Sequence, residues 1–166
     1  MSRSAGHTAL AARPTAFPSH PLVTSLLHRF ELWTVLECHA VSHVASRDLR
    51  SIRTQVRLLN QEMLGPGDPQ EWQQLELNLH AAIAAQAGNP LLATMVEHLG
   101  AELRAICEDQ QRWPTQRAGT LWLLQCQHRK ILSCIEAGQA EDAVLHTRAH
   151  LHLLRDQLVA ALSGWR

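Results

Sequence analysis

From Pro21 onward, apolar residues recur every three or four positions, interrupted by short clusters of Gly, Pro, Asn and Asp. That period places apolar side chains along one face of an α-helix. No run of alternating residues bounded by hairpin turns, the mark of strands, is evident in the sequence. The first helix is predicted over Pro21–Ala45, with Leu26, Phe30, Trp33, Glu37, Ala40 and Val44 on one face. A shorter second helix is predicted over Arg47–Met63, with Leu49, Ile52, Val56 and Leu59 inward. The segment Gly-Pro-Gly-Asp-Pro at 65–69 then breaks the chain. Asp68 suits a helix N-cap, Pro69 the first helical position, and Glu71 stands three residues after the cap. The third helix runs from there to about Ala87, with Gly88 as its C-terminal cap. Asn89-Pro90 opens the fourth by the same logic, and Leu92, Met95, Val96, Leu99, Leu103 and Ile106 form its inward stripe. It ends before Pro114. A fifth helix is predicted from Thr115 to Ala137, stopping at Gly138, and a sixth from Ala140 to Leu162. Short links favour antiparallel neighbours, so the expected fold is an all-α, six-helix antiparallel bundle. Residues 1–20, rich in Ser, Ala, Pro and Gly without sustained periodicity, are expected to form a flexible N-terminal arm ahead of a domain spanning 21–166.

Composition narrows the function. Fifteen basic residues balance fifteen acidic ones, so the net charge is zero with His neutral. A nucleic-acid binder normally carries a basic excess, and direct binding of nucleic acid is therefore not expected. No apolar run approaches a membrane span, and no signal-type apolar core lies near the N-terminus, so a soluble cytoplasmic protein is expected. Four cysteines at 38, 107, 126 and 134 include no C-x-x-C pair. Cys126 and Cys134 are eight apart on one predicted helix and cannot bridge without breaking it.

The eleven histidines are the main chemical clue. In the third predicted helix, Glu76 and His80 lie within the apolar stripe of Trp72, Leu75, Leu79 and Ile83. They are four apart, which makes them neighbours on one face. A carboxylate aimed at a core costs several kcal/mol unless it is paired or bound to a metal. In the fifth, His128 sits inside the stripe Leu121, Leu124, Ile131, Leu132 and Ile135. In the sixth, His150 lies at the edge of the stripe, with His146 as its rival one turn earlier and His152 on the opposite face. Taken singly, each position fits a satisfied core residue. Together they point to a divalent transition metal ion, because imidazole with carboxylate suits zinc, nickel, iron or manganese rather than calcium or magnesium. His39 and His43, also four apart, fall off the main apolar face of the first helix and suit a solvated or interface pair.

The local sequence adds a resemblance. The segment LELNLHAAIAAQAGNPLL at 75–92 resembles the third-to-fourth helix region of the FCD domain, the effector-binding C-terminal half of FadR-type regulators in the GntR family. There an acidic residue is followed by three residues, His, and then Gly-Asn-Pro about nine residues on. QHRKILSCIEAGQAEDAVLHTRAHLHLLRDQL at 127–158 is similar to the last two helices of the family, with a second His 22 residues after the first. ELWTVLECHAVSHVASR at 31–47 matches its first helix more loosely. The resemblance implies a central cavity in which Glu76, His80, His128 and His150 hold one divalent ion. It selects His150 over His146. It further implies a small organic-acid ligand at or near the ion, a homodimer, and a pocket to which Trp33, Glu37, Arg104 and His146 are assigned. The chain departs from the family pattern at three points. Glu76 stands where Asp is usual. Trp33 replaces an Arg that can pair with a ligand carboxylate, a bidentate contact Trp cannot make. The winged helix-turn-helix of such regulators has no counterpart in residues 1–20.

Two main functions follow as expectations. The first is a metal-dependent small-molecule-binding domain like the sensing half of a regulator, without the DNA-binding half. The alternative is a stand-alone metalloenzyme of lyase, isomerase or oxygenase type, with substrate chelating the ion and Glu37 or another His moving protons. A purely structural ion ranks third.

Overall fold

Among the described residues (21–47, 54, 58, 61, 69–109 and 119–163 of the computed structural model), five helices are delimited and no strand occurs. They are α1 (Pro21–Ala45), α2 (Pro69–Ala85), α3 (Pro90–Asp109), α4 (Thr120–Glu136) and α5 (Ala140–Ser163). The predicted helix over 47–63 and its inward set fall outside the described residues, except that positions 54, 58 and 61 are helical. The predicted N-terminal arm and the Asp68 cap also lie outside them.

α1 touches each of the other four helices and packs most extensively on α5. The two run antiparallel. Ala45 lies beside Gly138 just before α5, and Cys38 Sγ is 3.9 Å from the carbonyl oxygen of Val144. α2 and α3 form an antiparallel hairpin in which Leu77 meets Gly100 and Gln74 meets Arg104. α4 and α5 form a second hairpin across residues 137–139. At its turn, the amides of Gly138 and Gln139 donate to Ile135 and Cys134 carbonyls at 3.1 and 2.9 Å. Gly138 supplies the positive φ of 71° that this reversal needs.

Leu26, Phe30, Trp33, Ala40 and Val44 are buried on α1 as the periodicity predicts. Two expectations are corrected. Met95 is 38 % exposed at the rim rather than inside, because Val96 and Leu99 occupy the inward side of α3. α4 begins at Thr120 rather than Thr115, since Gly119 has φ 93°, and a left-handed residue cannot continue a right-handed helix.

The start of α3 follows its sequence signal. Asn89 Oδ1 accepts the amides of Leu91 and Leu92 at 3.1 and 3.2 Å, so the cap satisfies two donors that the first turn leaves open. Asn89→Ala is expected to lower unfolding stability by about 1 kcal/mol. Urea denaturation of both proteins checks this, and an unchanged midpoint would remove the cap's assigned role.

Candidate metal centre

α2, α4 and α5 each turn polar side chains into the same interior. On α2, one helical turn separates Glu76 and His80, so both emerge from the stripe that buries Trp72, Leu79 and Ile83. His128 replaces an apolar residue in the buried stripe of α4. His150 follows Thr147 and precedes Leu151 on the buried side of α5. All four side chains are buried, Glu76 and His150 completely.

Their donor atoms converge. Glu76 Oε1 lies 2.9 Å from His150 Nε2 and 3.4 Å from His80 Nε2, and Glu76 Oε2 lies 3.2 Å from His128 Nε2. His150 Nε2 is 3.1 Å from His128 Nε2 and 3.3 Å from His80 Nε2. One donor atom from each of the four residues falls within 4.8 Å of all the others. Two donors bound to one ion at about 2.1 Å would stand roughly 3.0 to 3.4 Å apart, for angles between a right angle and the tetrahedral value. The five spacings above, 2.9 to 3.4 Å, lie close to that range. Protons alone do not satisfy the cluster, since buried Glu76 Oε2 has no formed hydrogen bond although His128 Nε2 stands 3.2 Å away. The residues therefore fit a divalent ion, in donor type and in spacing.

The outer nitrogens of two rings have partners. His150 Nδ1 lies 3.1 Å from Gln127 Oε1, and His80 Nδ1 lies 3.3 Å from Glu37 Oε1. Gln127 Oε1 accepts from His150 Nδ1, and the Glu37 carboxylate faces His80 Nδ1 as an ion pair without a formed hydrogen bond. Both favour a proton on Nδ1 and, with an ion bound, an Nε2 lone pair facing the cluster. Trp33 packs edge-on against His80, with ring centroids 5.1 Å apart.

Electrostatics sort the group further in the ion-free chain. Burial alone would raise the Glu76 carboxyl, but the His128 and His150 rings outweigh it and hold it well below the usual carboxylate range. Burial also works against the His80 imidazolium, yet Glu37 and Glu76 on either side push its pKa up to about 10. Burial and the neighbouring His128 push His150 down to about 4. His80 is accordingly held as an imidazolium between two carboxylates, while His150 resists a proton.

Of the remaining sequence-assigned pocket residues, Glu37, Trp33 and Arg104 line two separate spaces. Glu37 lines an interior void of about 10 Å³, shared with Val41, Leu79, His80, His128 and Thr147. That is about the space of one water molecule. Trp33 and Arg104 line a cleft of about 380 Å³ between α2 and α3, which reaches His80 and also carries Gln74, Asn78 and Glu97. His146 is half-buried on α5 and lines neither space. His39 and His43 are exposed, their ring centroids 4.4 Å apart. Gln127 had no signal in the sequence. It neighbours His128 but lies about 100° further round the helix, and its role depends on how α4 meets α5.

These features define an all-helical domain with a buried group of one glutamate and three histidines able to hold a metal ion. The family model of the FCD domain matches residues 28–153, and the chain belongs to that family. Such a domain is an effector-binding domain of the regulator type. No curated protein matches the sequence.

Proposed function

We propose that this chain is a divalent-metal-dependent binding domain for a small, carboxylate-bearing molecule. One ion is held by Glu76, His80, His128 and His150, and the ligand reaches it from the cleft between α2 and α3. The single observation behind this reading is the convergence of four buried donors, from three helices, at spacings suited to one ion. The donor set favours zinc, nickel, iron or manganese. The cleft volume of about 380 Å³ is in the range of small-ligand sites, and its lining mixes apolar Leu77, Ala81 and Val96 with polar Arg104, Gln74 and Asn78. Arg104 contacts Gln74 across the mouth, so a ligand carboxylate would exchange one partner of Arg104 for another. Among the described residues no helix is long and apolar enough to cross a membrane. A homodimer belongs to the same reading.

The chain purified without chelators, after growth with supplemented metals, is expected to carry close to one divalent ion by elemental analysis. A panel of small organic acids is then expected to raise the melting temperature of the loaded chain and to leave the stripped chain unchanged. Absence of any ion after supplementation would sink the proposal. Equal shifts with and without the ion would detach the ligand from the metal.

A further inference from the structure

α1 supplies no donor to the cluster, yet it carries the group behind one of the donors. Glu37 is completely buried, and its Oε1 lies 3.3 Å from the outer nitrogen of His80. Neither Glu37 oxygen has a formed hydrogen bond, and neither has His80 Nδ1. The surroundings are mostly apolar, with Val41, Leu79, Ile83, Ile131 and Leu132 about the small void. The one other polar group lining it beyond the histidines is Thr147, whose hydroxyl is also unpartnered. A buried carboxylate in such a setting weakens the fold unless it serves something.

The orientation of the His80 ring supplies that use. Its Nε2 faces Glu76 and His150, and its Nδ1 faces Glu37. A carboxylate can only accept, so Nδ1 keeps its proton and, when an ion is bound, Nε2 offers its lone pair inward. Carboxylates behind metal-bound imidazoles fix ring and tautomer in this way. His150 has Gln127 for the same purpose, but Gln127 comes from α4, which already supplies His128. Glu37 comes from the helix that touches all the others.

We propose that Glu37 is a positioning residue that ties the ion to α1, so that ion occupancy and the packing of α1 depend on each other. This rests on the metal-binding reading above. Linkage makes the effect reciprocal: if the Glu37 contact favours the ion, the ion favours the contact by the same factor. α1 thereby becomes the element through which loading of the centre reaches the rest of the bundle.

The test uses the full chain, Zn(II) as the probe, and two variants. Glu37→Gln keeps an oxygen that can accept from Nδ1. Glu37→Leu is of similar size and keeps none. Affinity is read by competition with a chromophoric chelator, and α1 packing by amide hydrogen exchange with and without Zn(II). Glu37→Leu is expected to weaken binding on the order of 10- to 100-fold. Its ion-free melting temperature should fall below that of the parent, because the buried His80 ring loses the carboxylate that faces its Nδ1. Glu37→Gln should stay within a few-fold of the parent, on the order of one lost charge-assisted hydrogen bond. Zn(II) should slow exchange around Glu37 in the parent and not in Glu37→Leu. Binding by Glu37→Leu as tight as the parent's would overturn the proposal, and so would binding by Glu37→Gln as weak as that of Glu37→Leu. So would α1 exchange that ignores Zn(II) in the parent. If the parent binds no Zn(II), or His128→Ala binds it as tightly, the metal-binding reading itself fails. If His128→Ala loses the ion while Glu37→Leu does not, only the role of Glu37 fails.

Discussion

His128→Ala is expected to empty the metal centre and to lower the melting temperature by roughly 5–10 °C, whereas His152→Ala changes neither. The magnitude follows from linkage. An ion present at 100 times its Kd adds about 2.7 kcal/mol to the folded state. For a chain of this size, 1 kcal/mol corresponds to about 2–4 °C. His128 Nε2 stands 3.1 Å from His150 Nε2 and 3.2 Å from Glu76 Oε2, so truncation removes one of four donors and one of the rings facing Glu76. His150→Ala should act in the same direction, since its Nε2 is the atom nearest to Glu76. His152 is exposed and lines a different groove, beside Arg148 and Arg155. Elemental analysis and thermal melts on the three variants provide the check. Equal losses from all three would mean that stability, and not the centre, is being measured.

The second large effect concerns pH in the chain stripped of metal. Its stability is expected to peak near pH 6.5 and to fall on both sides. On the acid side, His150 is held down to about 4 in the folded chain, against an ordinary value of 6.5. A depressed imidazole contributes stability that is present in full above about pH 6.5 and is lost as pH falls towards about 4. The loss is about 3 kcal/mol at one unit per 1.36 kcal/mol. The Glu76 carboxyl, held low by His128 and His150 against the opposing effect of burial, adds to the loss at still lower pH. On the alkaline side, His80 is pushed up to about 10, with Glu37 and Glu76 outweighing its burial. A raised imidazole contributes stability that is full below about pH 6.5 and is lost as pH rises through about 10. Urea midpoints of the stripped chain from about pH 4 to 10 would show the peak. A profile flat between about pH 6.5 and 4.5 would contradict the arrangement described for His150. Loading with Zn(II) should remove the alkaline limb, because the ion replaces the His80 proton at Nε2.

The two predictions bear on different properties of one site. The first depends on where the Nε2 atoms point, and the second on how charges share a dry interior. Glu37 enters both, as the partner behind His80 and as one of the two carboxylates that keep it protonated without metal.

Much of this was legible in the residues. The 3.6-residue period marked Phe30, Trp33, Leu79, Val96 and Ile131 as core, and all five are buried. Asn89 and Pro90 marked the start of α3, and Gly138 marked the end of α4, because caps and helix ends are local chemistry. The four-residue spacing of Glu76 and His80 put them on one face for the same local reason. What periodicity left undecided was His150 against His146, since both lie near the stripe of the last helix. The family pattern selected His150, and the structure buries it completely while leaving His146 half-buried.

For the five delimited helices, their existence and most of their inward residues were thus determined by the sequence alone, through period, caps and polar residues set in apolar stripes. Tertiary packing decided which stripes meet. It brought α2, α4 and α5 together so that one donor atom from each of four side chains falls within 4.8 Å of the rest. It set Glu37 of α1 behind His80 and Gln127 of α4 behind His150. It also filled the interior beside the cluster to a void of about 10 Å³, and placed the ligand-sized space outside, between α2 and α3. A helical period fixes the direction of a side chain relative to its own axis. The distance between two such side chains depends on the crossing of separate helices, which no local pattern encodes.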